Sequence, residues 1–176
     1  MEKLFLIGYR GTGKTTLGKM VADKLGYRFI DLDNLIIENT KKSIPQIFSS
    51  EGESAFREYE HNALEIISNE KRIVVSCGGG IITSENNIPI LKRTGIVCLL
   101  KASPKTIFDR IYSDNNRPAL TDKNPFDEIL HMLEKRKEAY EKAMDFAINT
   151  EKSHSECVAE IEKKYKEILT LKSIKG

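Results

Sequence analysis

The sequence predicts an α/β fold, a three-layer α/β/α sandwich around a central five-stranded parallel sheet. Three observations lead there. Short apolar runs alternate with longer stretches of helical periodicity. The runs are apolar throughout, as strands covered on both faces must be. Glycine- or aspartate-rich turns follow the first three runs, on the edge where such sheets bind ligands.

The elements follow in order. Leu4-Phe5-Leu6-Ile7 is a buried strand. Leu17, Met20, Val21 and Leu25 recur at helical spacing, and Gly26 supplies the stop. Arg28-Phe29-Ile30 is the second strand and ends at Asp31-Leu32-Asp33. Phe56, Ala63, Leu64 and Ile67 mark a helix, and Ile73-Val74-Val75 a third strand running into Gly78-Gly79-Gly80. The fourth strand is Ile96-Val97-Cys98-Leu99-Leu100, followed by a helix carrying Ile107, Phe108 and Ile111. A polar stretch with two prolines, residues 114–125, interrupts two helices and reads as a flap. Phe146-Ala147-Ile148 is a short fifth strand. The last helix opens with Ser153 and Glu156 at capping-box spacing and places Val158, Ile161, Tyr165 and Ile168 on one stripe.

The 176 residues suit one domain with a single core, and 40% apolar with 31% charged residues is ordinary for a globular protein. A net charge of +2 is too balanced for a surface that coats nucleic acid, so any anion site must be built from a few placed cations. The three cysteines, Cys77, Cys98 and Cys157, have no CxxC spacing; they imply neither a disulfide framework nor a zinc site and suit a reducing cytosol. The opening MEKLFLIGYRG is too quickly interrupted for a signal peptide, and no run reaches membrane-spanning length. A cytoplasmic monomer with no membrane or nucleic-acid partner is the expectation.

Gly8-Tyr9-Arg10-Gly11-Thr12-Gly13-Lys14-Thr15 matches GxxxxGK followed by Ser or Thr, between a strand and a helix. This is the P-loop of nucleoside triphosphatases. Its glycines let successive N–H groups point at phosphate oxygens, and the helix N-terminus adds partial positive charge. Lys14 is a point cation for the β and γ oxygens, and Thr15 offers a hydroxyl to Mg²⁺. Gly11, Thr12, Gly13, Lys14, Thr15 and Thr16 are the candidate ATP contacts. Asp31 and Asp33 could be no more than a strand terminator and a helix N-cap. Beside a phosphate loop, one acid can hold magnesium water and the other can take an acceptor hydroxyl. Nearby cations keep Asp33 a weak base, which a loose phosphoryl-transfer transition state tolerates, because it needs the hydroxyl aimed more than deprotonated early. Arg57 lies three residues before Glu60 on a helix, so that a carboxylate can hold the guanidinium in one pose. Arg117 lies within the flap, where closure would bring its charge over the phosphates and expel water. Gly78-Gly79-Gly80 offers bare backbone to a ligand.

Together these residues resemble shikimate kinase over nearly the whole chain. The P-loop matches at Gly8 to Thr15, and DxD at Asp31-Leu32-Asp33. GExxFRxxE matches at residues 52–60, and the glycine triplet at Gly78-Gly79-Gly80. The RP of the flap matches at Arg117-Pro118, and the ERxxxY-type helix at residues 135–140. The resemblance implies a nucleoside-monophosphate-kinase type of fold, with a substrate-binding segment at 33–61 and a lid at 112–125. It implies ATP-dependent phosphorylation of the 3-hydroxyl of shikimate in aromatic amino-acid biosynthesis. Asp33 and the backbone of the Gly78–Gly80 turn, Gly79 above all, would bind the hydroxyls; Arg57 and Arg136 would grip the carboxylate; and Phe48 and Phe56 would supply apolar wall. Thr15 and Asp31 would serve magnesium, Arg117 would lie over the phosphates, and Arg110 near the adenine. The final turn at 149–154, where the family places adenine contacts, matches only loosely and no such contact is assigned there; two further features depart from the family pattern. Ala119-Leu120 follows Arg117-Pro118 where two larger apolar residues are usual, and residues 135–136 read KR where ER is usual. His154 is expected to be an exposed turn residue.

Three rival readings share part of this pattern. A gluconate-type kinase shares the P-loop but has no need of GExxFRxxE together with the glycine triplet. A GTPase should carry an NKxD-type guanine reader, and the sequence has none. A regulator without catalysis could lose the acceptor site, whereas Asp33, Arg57 and Arg136 all remain.

Overall fold

The strand runs pair as their apolar character requires. In the computed structural model, which describes residues 2–112 and 124–174, five parallel strands form one sheet in the order β2-β3-β1-β4-β5. They are β1 (Lys3–Ile7), β2 (Arg28–Asp31), β3 (Ile73–Ser76), β4 (Ile96–Lys101) and β5 (Phe146–Asn149). Successive residues of a strand serve opposite faces. Phe5, Ile7, Val75, Val97 and Leu99 join one core with Leu32, Ile36, Leu64 and Ile67. Leu4, Leu6, Val74, Cys98 and Leu100 join the other with Leu17, Val21, Ile161 and Tyr165. The three layers are therefore helices α2 (Leu32–Thr40), α3 (Ile44–Ser68), α4 (Asn87–Thr94) and α6 (Pro125–Ala143) on one face, the sheet, and α1 (Lys14–Leu25) with α7 (His154–Ile174) on the other. Helix α5 (Pro104–Tyr112) packs with α6 around Tyr9 in a small third core.

Several local readings hold. Gly26 closes α1 in a left-handed conformation. The α7 capping box forms as its spacing requires: Glu156 N–H donates to Ser153 Oγ at 3.3 Å, and Ser153 N–H donates to Glu156 Oε2 at 3.0 Å. The three cysteines are buried and unbridged, and His154 is exposed. Others need correcting. Met20 lies at the edge of the α1 stripe, 38% exposed, because Gly18 takes the buried position beside Leu17. The N-cap of α2 is Asp31, whose Oδ1 accepts from the N–H groups of Asp33 and Asn34 at 3.2 and 3.4 Å. Asp33 is thereby left one step inside the helix, its carboxylate excused from capping. Helix α4 and the 3-10 turn Ile81–Thr83 are too short to register as periodicity. Helix α3 bends at Gly52, whose φ of 84° breaks the helical path that a side chain would prefer. The flap interior at 113–123, with Arg117 and Ala119, lies outside the described residues.

One contact between layers can be tested directly. Ala in place of Gly18 would gain about 1 kcal/mol of helix propensity. Its Cβ would stand 2.5 Å from Phe29 Cε2 and 3.2 Å from Leu6 Cδ1, and overpacking costs about 1–3 kcal/mol. Gly18→Ala is therefore expected to lower the melting temperature in a thermal denaturation; a rise would mean that the Phe29 ring turns aside at little cost.

Candidate active site

Strands β1 and β3 lie side by side, yet the chain leaves them towards opposite faces. After β1 it passes into α1, packed against Leu4 and Leu6. After β3 it passes into the 3-10 turn and α4, packed against Phe5 and Ile7. Such a divergence opens a crevice at the carboxyl ends of the two strands. A cleft of ≈ 430 Å³ occupies it, walled by the P-loop, Asp31, Asp33, Gly78, Gly79 and Arg110.

Local chemistry shapes the P-loop. Gly8 has φ 143°, and a Cβ there would stand 2.5 Å from the Leu100 carbonyl oxygen, so a bare backbone lets the loop turn over β4. Lys14 Nζ donates to the carbonyls of Gly8 and Tyr9 at 2.8 and 3.0 Å, folded back over the loop it serves. Thr12 is buried and its hydroxyl donates to Tyr9 O at 2.7 Å. The Thr12 N–H donates to the same oxygen at 3.3 Å, so the two bonds together brace the loop. Thr15 and Thr16 are exposed at the start of α1. Thr15 Oγ1 donates to Asp31 Oδ2 at 3.0 Å and lies 3.5 Å from Ser76 Oγ. These oxygens suit a small hard cation that takes its remaining ligands from phosphate and water. No trio of His, Cys, Asp or Glu among the described residues could hold a metal by itself.

Arg57 and Arg136 lie against the glycine triplet, just outside the residues that line the cleft. Arg57 donates to Glu53 Oε1 from Nε and Nη2, at 3.3 and 2.9 Å, and to Glu60 Oε2 from Nη1. It stacks on Phe56, its Cζ 5.3 Å from the ring centroid, and sits so close over Gly80 that a Cβ there would meet Cζ at 2.7 Å. Arg136 Nη1 donates to Gly79 O at 3.0 Å, and Tyr140 Oη to the same oxygen at 2.9 Å. Gly79 also lies against the P-loop: a Cβ on it would be 3.5 Å from Gly8 O. The two guanidiniums thus stand over adjacent residues beside the phosphate cradle. Phe48 packs on Phe56 with centroids 4.8 Å apart and remains 39% exposed, an apolar ring left at the rim. Asp33 flanks the same triplet, Oδ1 within 3.0 Å of a Cβ on Gly78. Arg110 spans the far end, donating to Gly11 O at 3.3 Å and to Thr150 Oγ1 and O at 3.0 and 2.6 Å. It therefore ties the P-loop to the turn after β5, where Thr150 and His154 close the cleft.

Burial governs the charges. Glu60 is 1% exposed, and desolvation raises its pKa above the ordinary value. Arg57 works against that rise, and the neighbouring Asp33 charge adds to it. Its Oε1 has no hydrogen-bond partner among the described residues. Burial disfavours the Arg57 cation, and Glu60 and Glu53 outweigh it, so its pKa rises. Burial pushes the Tyr140 phenol up to about 12, which keeps it a neutral donor to Gly79.

Three contributors escaped the sequence. Ser76 reaches the cleft because β2 and β3 pair Asp31 with Ser76, a register no linear pattern states. Thr150 matters only once Arg110 arrives from 40 residues away. Tyr140 lay inside the ERxxxY-type match, and its carbonyl partner supplies the meaning.

The family model described as shikimate kinase matches residues 10–166. A shikimate kinase of Thermodesulfovibrio yellowstonii is 44% identical over 160 residues, covering 91% of this chain and 92% of that one. One of Sulfurihydrogenibium sp. is 41% identical over 167 residues, covering 94% and 99%. Among solved structures, shikimate kinase from Acinetobacter baumannii in complex with shikimate superposes with TM-score 0.83 at 34% identity, covering 97% of this chain and 92% of that chain. A gluconokinase from Sinorhizobium meliloti, at 14% identity and TM-score 0.64, shares the fold.

The buried carboxylate makes a pH prediction. A group whose pKa is raised on folding contributes stability at low pH that is lost as pH rises through the folded value. Wild-type stability should therefore fall as pH is raised through the folded pKa of Glu60, above 4.5, and Glu60→Gln should remove that component. Denaturant unfolding from about pH 4 to about pH 8 measures the difference between the two; parallel profiles would rule the effect out.

Proposed function

Because the chain belongs to the shikimate kinase family and so phosphorylates shikimate with ATP, in the pathway to aromatic amino acids, we propose how its residues divide that work. The carrying observation is that Arg57 and Arg136 stand over Gly80 and Gly79 at the mouth shared with the P-loop. Two guanidiniums beside each other suit one planar carboxylate, which each can bond twice. The Gly79 N–H and Asp33 take the ring hydroxyls, and Phe48 and Phe56 cover the apolar edge of the ring. Residues 33–61 form the acceptor-binding segment. By resemblance alone, residues 112–125 form the lid and Arg117 lies over the phosphates.

The nucleotide lies along the cleft, its phosphates on the P-loop amides and Lys14, its base toward Arg110 and the turn after β5. Magnesium would be held by Thr15, and by Asp31 through water, and would neutralise charge between the phosphates. Asp33 accepts a hydrogen bond from the 3-hydroxyl of shikimate and aims its oxygen along the γ-phosphorus–oxygen axis. The new phosphorus–oxygen bond forms as the bond to ADP breaks, and the hydroxyl proton passes to Asp33 late. Asp33 need not be a strong base, because the attacking oxygen needs little added nucleophilicity. Arg57, held by Glu53 and Glu60, meets the substrate without ordering its own side chain first, which favours binding. A cytoplasmic location fits three buried, unbridged cysteines.

ADP release with each acceptor tests the reading. Shikimate should support turnover and gluconate should not; no shikimate-dependent release from folded, ATP-binding protein would reject it. Asp33→Asn should leave ATP affinity nearly intact and lower kcat by at least about a hundredfold. Calorimetry and single-turnover kinetics read the two quantities, and unchanged turnover would remove Asp33 from its role. A large solvent isotope effect on a chemistry-limited rate would show that proton removal comes early.

A further inference from the structure

Two P-loop side chains do a job the phosphate cradle does not require. Tyr9 is 2% exposed, and its ring fills the small core between α5 and α6 with Ile107, Ile111 and Ile129. Arg136 Cζ lies 5.9 Å from the centroid of that ring, within cation–π reach. Arg10 Nη2 donates to Glu128 Oε1 at 3.2 Å, the two side chains being 18% and 4% exposed. Glu128 lies in the first turn of α6, about two turns before Arg136. The P-loop therefore grips α6 at its start through Arg10 and near Arg136 through Tyr9, while Gly79, the carbonyl partner of Arg136, rests on the loop backbone.

Stability alone is a poor account of the Arg10–Glu128 pair, since replacing a buried ion pair by apolar residues is often neutral or favourable. Geometry accounts for it better, because a guanidinium that must meet a carboxylate in one plane needs its helix fixed. We propose that Tyr9 and Arg10 are positioning residues for the acceptor. By holding α6 at two points they set Arg136 over Gly79, so the loop that receives ATP also shapes the carboxylate grip. The inference rests on the reading above that Arg136 binds the shikimate carboxylate. Its rival is that Arg10, which also borders the cleft, is a phosphate ligand.

Titration calorimetry with shikimate and with ATP on the full chain separates these. Arg10→Met should weaken shikimate binding about five- to tenfold and change ATP affinity by no more than about twofold. Arg10→Lys should restore the larger part. In an Arg136→Met background, Arg10→Met should cost shikimate nothing further. The same pattern is expected of Glu128→Gln, which serves if Arg10→Met fails to fold. The proposal is overturned if ATP affinity falls as far as shikimate affinity, if shikimate affinity is unchanged, or if the penalty is equal in both backgrounds. If Arg136→Met itself leaves shikimate affinity intact, the carboxylate reading fails and the inference falls with it; loss in Arg136→Met without loss in Arg10→Met sinks the inference alone.

Discussion

The site depends on one constraint of topology. β1 and β3 are neighbours in the sheet, and the chain leaves them to opposite faces. The gap between the departing segments is the crevice. Its two lips are backbone: the P-loop after β1 and the glycine triplet after β3. Everything that discriminates is mounted on those lips or aimed at them. In the proposed reading the nucleotide side relies on N–H groups and one lysine, and the acceptor side on two arginines held against the glycine triplet.

The wall proposed to bind the acceptor is held by electrostatics that would be costly without each partner. Glu60 is buried, with one oxygen taken by Arg57 and the other unpartnered among the described residues. A desolvated carboxylate of this kind favours a nearby cation strongly, so Arg57 is fixed before any ligand arrives. The opposing terms meet at a small cluster of Glu60, Asp33 and Gly78. A side chain on Gly78 would strike both carboxylates, at 2.7 and 3.0 Å, which explains glycine there without appeal to flexibility. The cap of α2 falls to Asp31 and not to Asp33. Asp31 in turn uses one oxygen for the cap and the other for Thr15, so a single carboxylate joins helix geometry to the cation corner.

Much of this was legible in the chain. The apolar runs gave five strands, and the period-3.6 stripes gave α1, α3, α5 and α7, because burial imposes those periods wherever a sheet is covered on both faces. The P-loop could be read because its residue types are dictated by phosphate. The misreadings have physical causes. Met20 and Gly18 both fit a helical stripe, and only the approach of Phe29 decides that the smaller one turns inward. Asp31 and Asp33 are equivalent as letters; the strand runs through Asp31 and α2 begins at Leu32, and that assigns the cap.

The sequence by itself determined the fold class, the phosphate loop and the kinship with shikimate kinases, since each is written in local residue types at fixed spacing. Tertiary structure alone decided which side chains meet across long separations: Arg136 with Gly79, Arg110 with Thr150, Arg10 with Glu128, and Ser76 with the Asp31 corner. Strand order and register bring those partners together. Both follow from how whole faces pack, and the energy of that packing is shared over too many residues for any short stretch of chain to record it.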